Sequence, residues 1–265
     1  MTRASRPVVL VTGVSGGIGL ATARLFAANG WIVVGSVRGR GRASGVRGMQ
    51  VDLQIAEMLK PRDLERLVSN AWRTYGRIDA VVCNAGYGLV GPIDTLDYAQ
   101  MQEQLAVNTL APAYIAKLVV PLMRRQGGGV LVGISSFVGR AGLSGYSLYS
   151  SSKFALEGLF ESLAMELAVS GIGVKLVEPS GVQTSFWRDL KHGSQRGGDL
   201  GAEQNISSGG GLSADQVAAV IYRATTDRGG RLRYAVGQTK YLTLARHLIP
   251  DRILRRALRR IVTGT

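Results

Sequence analysis

A tyrosine and a lysine four residues apart, Tyr149 and Lys153, fall in a stretch whose pattern predicts a helix over 149–169, so their side chains share one face. A free phenol titrates near ~10 and is a poor proton donor or acceptor at neutral pH. An ammonium beside it favours the phenolate and draws that value toward the working range. The pair therefore reads as a general acid/base and its electrostatic helper. Tyr146 stands nearby, but Ser150, four residues on, cannot play the lysine's part. Upstream, Ile134-Ser135-Ser136 closes a strand-like run, and either hydroxyl could bond a substrate oxygen. Asn108 lies four residues before Pro112 inside a long helical pattern. Proline lacks the N–H that would bond the Asn108 carbonyl, so the helix should kink there and leave that carbonyl free. Neither His192 nor His247 accompanies a G-x-S-x-G elbow, which argues against a serine hydrolase.

The other chemical feature is a turn. Thr12-Gly-Val-Ser-Gly-Gly-Ile-Gly19 joins the apolar run Pro7–Thr12 to a helical pattern over 17–29. Gly13, Gly17 and Gly19 give the backbone room for close approach of a pyrophosphate, and the helix N-terminus offers free N–H groups. With Asp52 in V-D-L, Asn84-Ala85-Gly86, Asn108, Ser136, Tyr149-x-x-x-Lys153 and the run Pro179 to Thr184, this turn resembles the short-chain dehydrogenase/reductase family. The matches span about two-thirds of the chain, in order.

The resemblance implies an α/β fold: a single-domain Rossmann-type doubly wound parallel β-sheet with helices on both faces. It also implies a nicotinamide cofactor bound by Gly13, Ser15, Gly17, Ile18, Gly19, Arg38, Asp52, Leu53, Asn84, Ala85, Gly86, Tyr149, Lys153, Pro179 and Thr184. Asp52 would hold the adenine edge, Asn84 would line the cofactor trough, and Lys153 would bond the ribose hydroxyls. The thirteen-residue spacing to Tyr149 that the resemblance implies selects Ser136 over Ser135. Asn108 would hold a water in a proton relay reaching Lys153. Ser180 departs from the family pattern by replacing a glycine where backbone should approach the nicotinamide. The implied chemistry is hydride transfer between NADPH and a carbonyl carbon, with Ser136 holding the oxygen and Tyr149 moving the proton. Cofactor choice follows from charge. An NAD enzyme of this kind places a carboxylate at the end of its second strand, and here that place falls at Val37. Arg38 follows and suits a 2′-phosphate, with Arg40 and Arg42 nearby, so NADP(H) is expected. Tyr87, Leu89, Val90, Leu143, Tyr146, Phe186 and Trp187 are candidate substrate walls, apolar enough for a hydrophobic ketone or its alcohol. The alternatives are an NAD-dependent alcohol dehydrogenase of the same kind and a non-catalytic dinucleotide sensor.

These groups need elements to position them. Apolar runs at 7–12, 31–36, 48–53, 78–83, 129–135 and 173–178, with another at 232–236, alternate with helical patterns at 17–29, 62–75, 98–125, 149–169 and 213–225. Such alternation calls for βαβ units and a parallel sheet. The region 185–212 is Gly-, Ser- and Gln-rich between apolar shoulders, and reads as a flexible substrate loop.

Apolar residues make up 46% of the 265, ample for one large core. Cys83 is the only cysteine, no metal-ligand pattern exists, no uninterrupted apolar run reaches ~18 residues, and Met1–Pro7 lacks a secretory signal. A cytoplasmic protein is expected. The net charge of +14 comes with no nucleic-acid-binding signature. Residues 251–262 form a basic amphipathic pattern expected to pack on its own domain or a partner, membrane-surface contact being the less favoured reading. A homo-oligomer, dimer or tetramer, is expected from the family, through two long helices.

Overall fold

The structure, a computed structural model, describes residues 6–39, 44–46, 48–193, 211–242, 249–250, 252–253 and 256. Strand β1 (Val8–Thr12) is buried along its whole length, as a run of Val and Leu without polar alternation requires. It pairs in parallel with β2 (Ile32–Val37) on one side and β4 (Ala80–Cys83) on the other. Strand β3 (Val51–Ile55) adds outside β2. Beyond β4 come β6 (Gly129–Ile134), β7 (Ile172–Pro179) and β11 (Arg233–Val236), giving the order β3-β2-β1-β4-β6-β7-β11. The direction of growth reverses between β1 and β4, and the crevice at their carboxyl ends is where such sheets bind ligands.

Alternation along β1 sends Val8 and Leu10 to one face and Val9 and Val11 to the other. Helices α2 (Pro61–Tyr75), α4 (Ala111–Gln126) and α5 (Ser147–Leu167) cover the first face with Leu64, Leu67, Ile115, Val119, Leu156 and Phe160. Helices α1 (Gly17–Ala28) and α6 (Ala214–Thr226) cover the second with Phe26, Val217 and Ile221. Each such side chain contributes ~1.5–3 kcal/mol by leaving water.

Three expectations change. The third strand starts at Val51 rather than 48, because Gly48 turns the chain with φ +77°. The single helix over 98–125 is α3 (Tyr98–Leu105), a π-helical turn at Ala106–Leu110, then α4. The disturbance from Pro112 is taken up as this π-bulge, in which the Ala111 N–H reaches back five residues to the Ala106 carbonyl. Taken whole, Tyr98–Gln126 also reaches the length and apolarity of a membrane-crossing helix, which no segment was expected to do. Its buried stripe packs on α2 and the sheet, while Leu105 and Leu110 face outward.

Two small parallel pairings tie down the ends of the 185–212 region. Strand β9 (Lys191–His192) adds to β5 (Leu89–Val90), and β10 (Leu212–Ser213) adds to β8 (Val182–Gln183). Residues 194–210 lie outside the described residues, as do Arg40, Arg42 and nearly all of 251–262.

Candidate functional site

The crevice holds a cavity of about 310 Å³ that runs from the glycine turn to the aromatic residues of 185–187. At the turn, Gly13 and Gly17 adopt φ of +75° and +53°, which side chains rarely tolerate. A Cβ at Gly19 would lie 2.1 Å from the Gly13 carbonyl oxygen and 2.5 Å from Asn84 Nδ2, so no larger residue fits. A Cβ at Gly17 would come within 3.2 Å of Thr184, so turn and threonine face each other across the space. Helix α1 has no side-chain cap, and its first N–H groups open toward this space. Ser15, Ile18, Ala85, Gly86 and Pro179 also line the cavity. The residues present fit a dinucleotide.

Asn84 lines the cavity but chiefly staples the turn. Its side-chain amide donates to the carbonyls of Thr12 (2.9 Å) and Gly13 (3.2 Å). The Thr12 hydroxyl in turn accepts from the Asn84 and Ala85 N–H groups. Arg38 is exposed on the cavity wall directly after buried Val37. Asp52 and Leu53 are not among the wall residues, and Asp52 accepts from the Tyr75 hydroxyl at 3.1 Å.

Tyr149 and Lys153 are both buried on α5 and both line the cavity. Lys153 Nζ lies 5.7 Å from the Tyr149 ring centre and donates to the Ile134 carbonyl at 2.8 Å. Burial therefore decides the tyrosine: its pKa is pushed up to about 12, the hydrogen bond from Ser136 opposing that rise. The expected lowering by Lys153 is not found in this arrangement, because the ammonium is turned to a carbonyl. Burial likewise brings Lys153 down to about 8, against the pull of Glu157. Tyr149 is thus a protonated phenol at neutral pH, facing a serine across the cavity.

That serine is Ser136, which accepts from the Val138 N–H at 3.3 Å. Ser135 faces away: its Oγ is buried against Gly139, where a Cβ would lie 2.5 Å from it. Asn108 sits behind the cavity wall in the π-bulge. Its Nδ2 donates to the Tyr87 carbonyl (2.9 Å) and to Ser152 Oγ (3.0 Å), and its Oδ1 accepts from the Tyr87 N–H (3.2 Å). A Cβ on Gly86 would fall 2.9 Å from Asn108 Oδ1 and 3.8 Å from Lys153 Nζ, so these three groups converge.

Ser180 is accommodated. Its Oγ accepts from the Gln238 N–H at 3.2 Å and occupies the space a Cβ on Gly237 would need. The extra side chain is directed to the turn after β11. Phe186 packs against the Tyr149 ring (5.7 Å) and edge-on against Trp187 (5.6 Å). With Tyr87, Val138, Leu143 and Tyr146 they form an apolar wall. Leu89 and Val90 are buried in β5 and are not wall residues. The sequence reading missed Glu103 and Lys191, which pair at 2.7 Å on the cavity rim, the lysine lying 4.6 Å from the Tyr87 ring centre. Among the described residues no His/Cys/Asp/Glu cluster could hold a metal. Cys83 is buried, its thiol pushed up to about 12.

The family model described as short chain dehydrogenase matches residues 7–195. The chain is 30% identical over 257 residues to the uncharacterized oxidoreductase YbbO of Escherichia coli, covering 94% of this chain and 93% of that one. It is 37% identical over 186 residues to human retinol dehydrogenase 8, covering 67% of this chain. There the match spans only 60% of the relative's length. Among solved structures, a short-chain dehydrogenase from Streptomyces avermitilis superposes with TM-score 0.84 at 29% identity, covering 98% of both chains. A metagenomic short-chain oxidoreductase in complex with NADP gives 0.72 at 27%, covering 89% of this chain and 98% of that one. A Burkholderia phymatum protein in complex with NAD gives 0.81 at 22%, covering 96% and 97%, a likeness of fold.

Proposed function

The chain belongs to the short-chain dehydrogenase/reductase family of oxidoreductases, which use a nicotinamide dinucleotide, and from that membership we propose that it is an NADPH-dependent reductase of hydrophobic ketones. The observation that carries this reading is the convergence of Ser136, buried Tyr149 and buried Lys153 on one aromatic-walled cavity. Reduction requires Tyr149 to start as the protonated phenol. Ser136 holds the carbonyl oxygen, and Tyr149 passes its proton to that oxygen as negative charge builds there. Lys153 supplies positive charge beneath the tyrosine, and Asn108 fixes the Tyr87 backbone and the Ser152 hydroxyl around it. Phe186, Trp187, Leu143 and Tyr146 exclude water and favour an apolar substrate. When bound, NADPH supplies the hydride; the glycine turn, Thr184 and Lys153 are the groups that would hold it.

The preference for NADPH rests on Arg38 beside Val37, with no carboxylate where an NAD enzyme needs one. We also propose self-association through the outward faces of the long helices, where Leu110 in the π-helical turn before α4 and Met165 on α5 are exposed. The functional test is oxidation of NADPH and NADH, in parallel, against a panel of hydrophobic ketones. NADPH turnover that falls ~10²–10⁴-fold in Tyr149→Phe is expected. Turnover that survives the substitution, or a preference for NADH, would contradict the reading. Cofactor binding without turnover of any substrate would favour a non-catalytic sensor.

A further inference from the structure

Three segments that carry the Ser136, Tyr149/Lys153 and Pro179 groups each send a charged side chain to one buried place behind the cavity. Arg140 follows Ser136 by four residues, Glu157 follows Lys153 by four on α5, and Glu178 directly precedes Pro179 on β7. Glu178 is 1% exposed and Glu157 5%. From β11, Arg233 sets Nε 3.1 Å from Glu157 Oε2 and 3.5 Å from Glu178 Oε1, and Nη2 2.6 Å from Glu161 Oε2. Arg140 stands farther off, 3.8 Å from Glu157 and 3.9 Å from Glu178. Among the described residues, Glu157 Oε1 and Glu178 Oε1 accept no hydrogen bond.

Two acceptor-only groups at this depth are satisfied only if one carries a proton. The charge count agrees. Among the described residues, Glu157, Glu161 and Glu178 face Arg140 and Arg233, which leaves one negative charge in excess. Either a proton on the buried pair or the ammonium of Lys153, one helical turn from Glu157, can cancel it. We propose that Glu157 and Glu178 share one proton in the resting protein, and that its release to the buffer supplies the negative charge that keeps Lys153 an ammonium. The two glutamates are then positioning residues acting through Lys153, and the inference rests on the working role given to that lysine above.

The electrostatics point the same way. Burial, then the Glu157 carboxylate, pushes Glu178 up to about 7, the two arginines opposing. Burial brings Lys153 down to about 8, with Glu157 pulling it back up. The two titrations therefore overlap, and groups this close lose their protons as a coupled set.

The test uses the full chain labelled with ¹³C at glutamate carboxyl and lysine ε carbons, titrated by NMR without cofactor. One glutamate carboxyl should titrate near pH 7 and vanish in Glu178→Gln. The Lys153 midpoint should fall in both Glu157→Gln and Glu178→Gln, by about one pH unit in the first, because each removes one of the negative charges that the proton's release leaves near the lysine. The alkaline limb of NADPH-dependent kcat/KM should move down with the lysine in both variants. A merely structural role would change the rate at every pH and leave the Lys153 midpoint and the limb where they are, and that outcome overturns the proposal. So does a wild-type chain in which every glutamate titrates below about pH 5.5. Absence of turnover in all forms would instead count against the reductase reading, since the two NMR titrations decide the shared proton without it.

Discussion

At Tyr149 and Lys153 burial works against the charged form of both side chains, with different consequences for stability. The lysine value is depressed from 10.5 to about 8. Between those two values the unfolded chain binds a proton that the folded chain does not, so stability rises with pH across that window. Below about 8 the penalty is fully present. Lys153→Met should therefore unfold at higher denaturant than the parent at pH 7, with the gap closing by about pH 10, while turnover is lost. Equal or lower midpoints at pH 7 would refute the claim that the lysine is held at a cost. At the cavity's other end, Arg38→Asp should raise KM for NADPH by about 10- to 100-fold, as loss of a charge-assisted contact implies, and improve NADH. An unchanged ratio of the two would remove Arg38 from cofactor choice. The glycine turn and the Tyr149–Lys153 pair were legible in the sequence because each depends on local spacing. The Lys153 bond to Ile134, the inward turn of Asn84 and the outward turn of Ser180 were not, because each is decided by backbone brought in from another strand.

The elements show the same division. Long periodic helices and fully apolar strands lie where their patterns put them, within a few residues. The π-bulge at Ala106–Leu110 was legible only as a disturbance at Pro112, since a proline shows that a bond is missing and not how the backbone repairs the loss. The two-residue strands β5 and β9 carry no periodicity at all, yet their pairing anchors the chain just after Phe186, which packs on Tyr149, and Trp187, which packs on Phe186. The Glu103–Lys191 pair reinforces that anchor. It is partly exposed and worth about 0.2–1 kcal/mol, so its effect should appear in function before stability. Glu103→Gln should raise KM for the ketone a few-fold, leave KM for NADPH unchanged and shift Tm little. A ketone KM equal to the parent's would show that the rim pair does not hold the wall.

Over the whole molecule, the parallel sheet was legible because β1 and β4 lack polar alternation and must be covered on both faces. The sheet places the glycine turn and the Ser136–Tyr149 pair at opposite ends of one crevice. That placement gathers a set of scattered motifs along one crevice, which the proposed function divides into a cofactor end and a carbonyl end. The central consequence of that proposal is hydride delivery to a carbonyl carbon beside Tyr149. The most direct measurement is to incubate the protein with NADPH deuterated at nicotinamide C4, each face in turn, and a hydrophobic ketone, then locate the label by mass spectrometry. The account predicts deuterium on the carbinol carbon of the alcohol from one face only, with no transfer in Tyr149→Phe above ~1% of the parent rate. Oxidation of the cofactor with no label in the product, or label arriving equally from both faces, would contradict it.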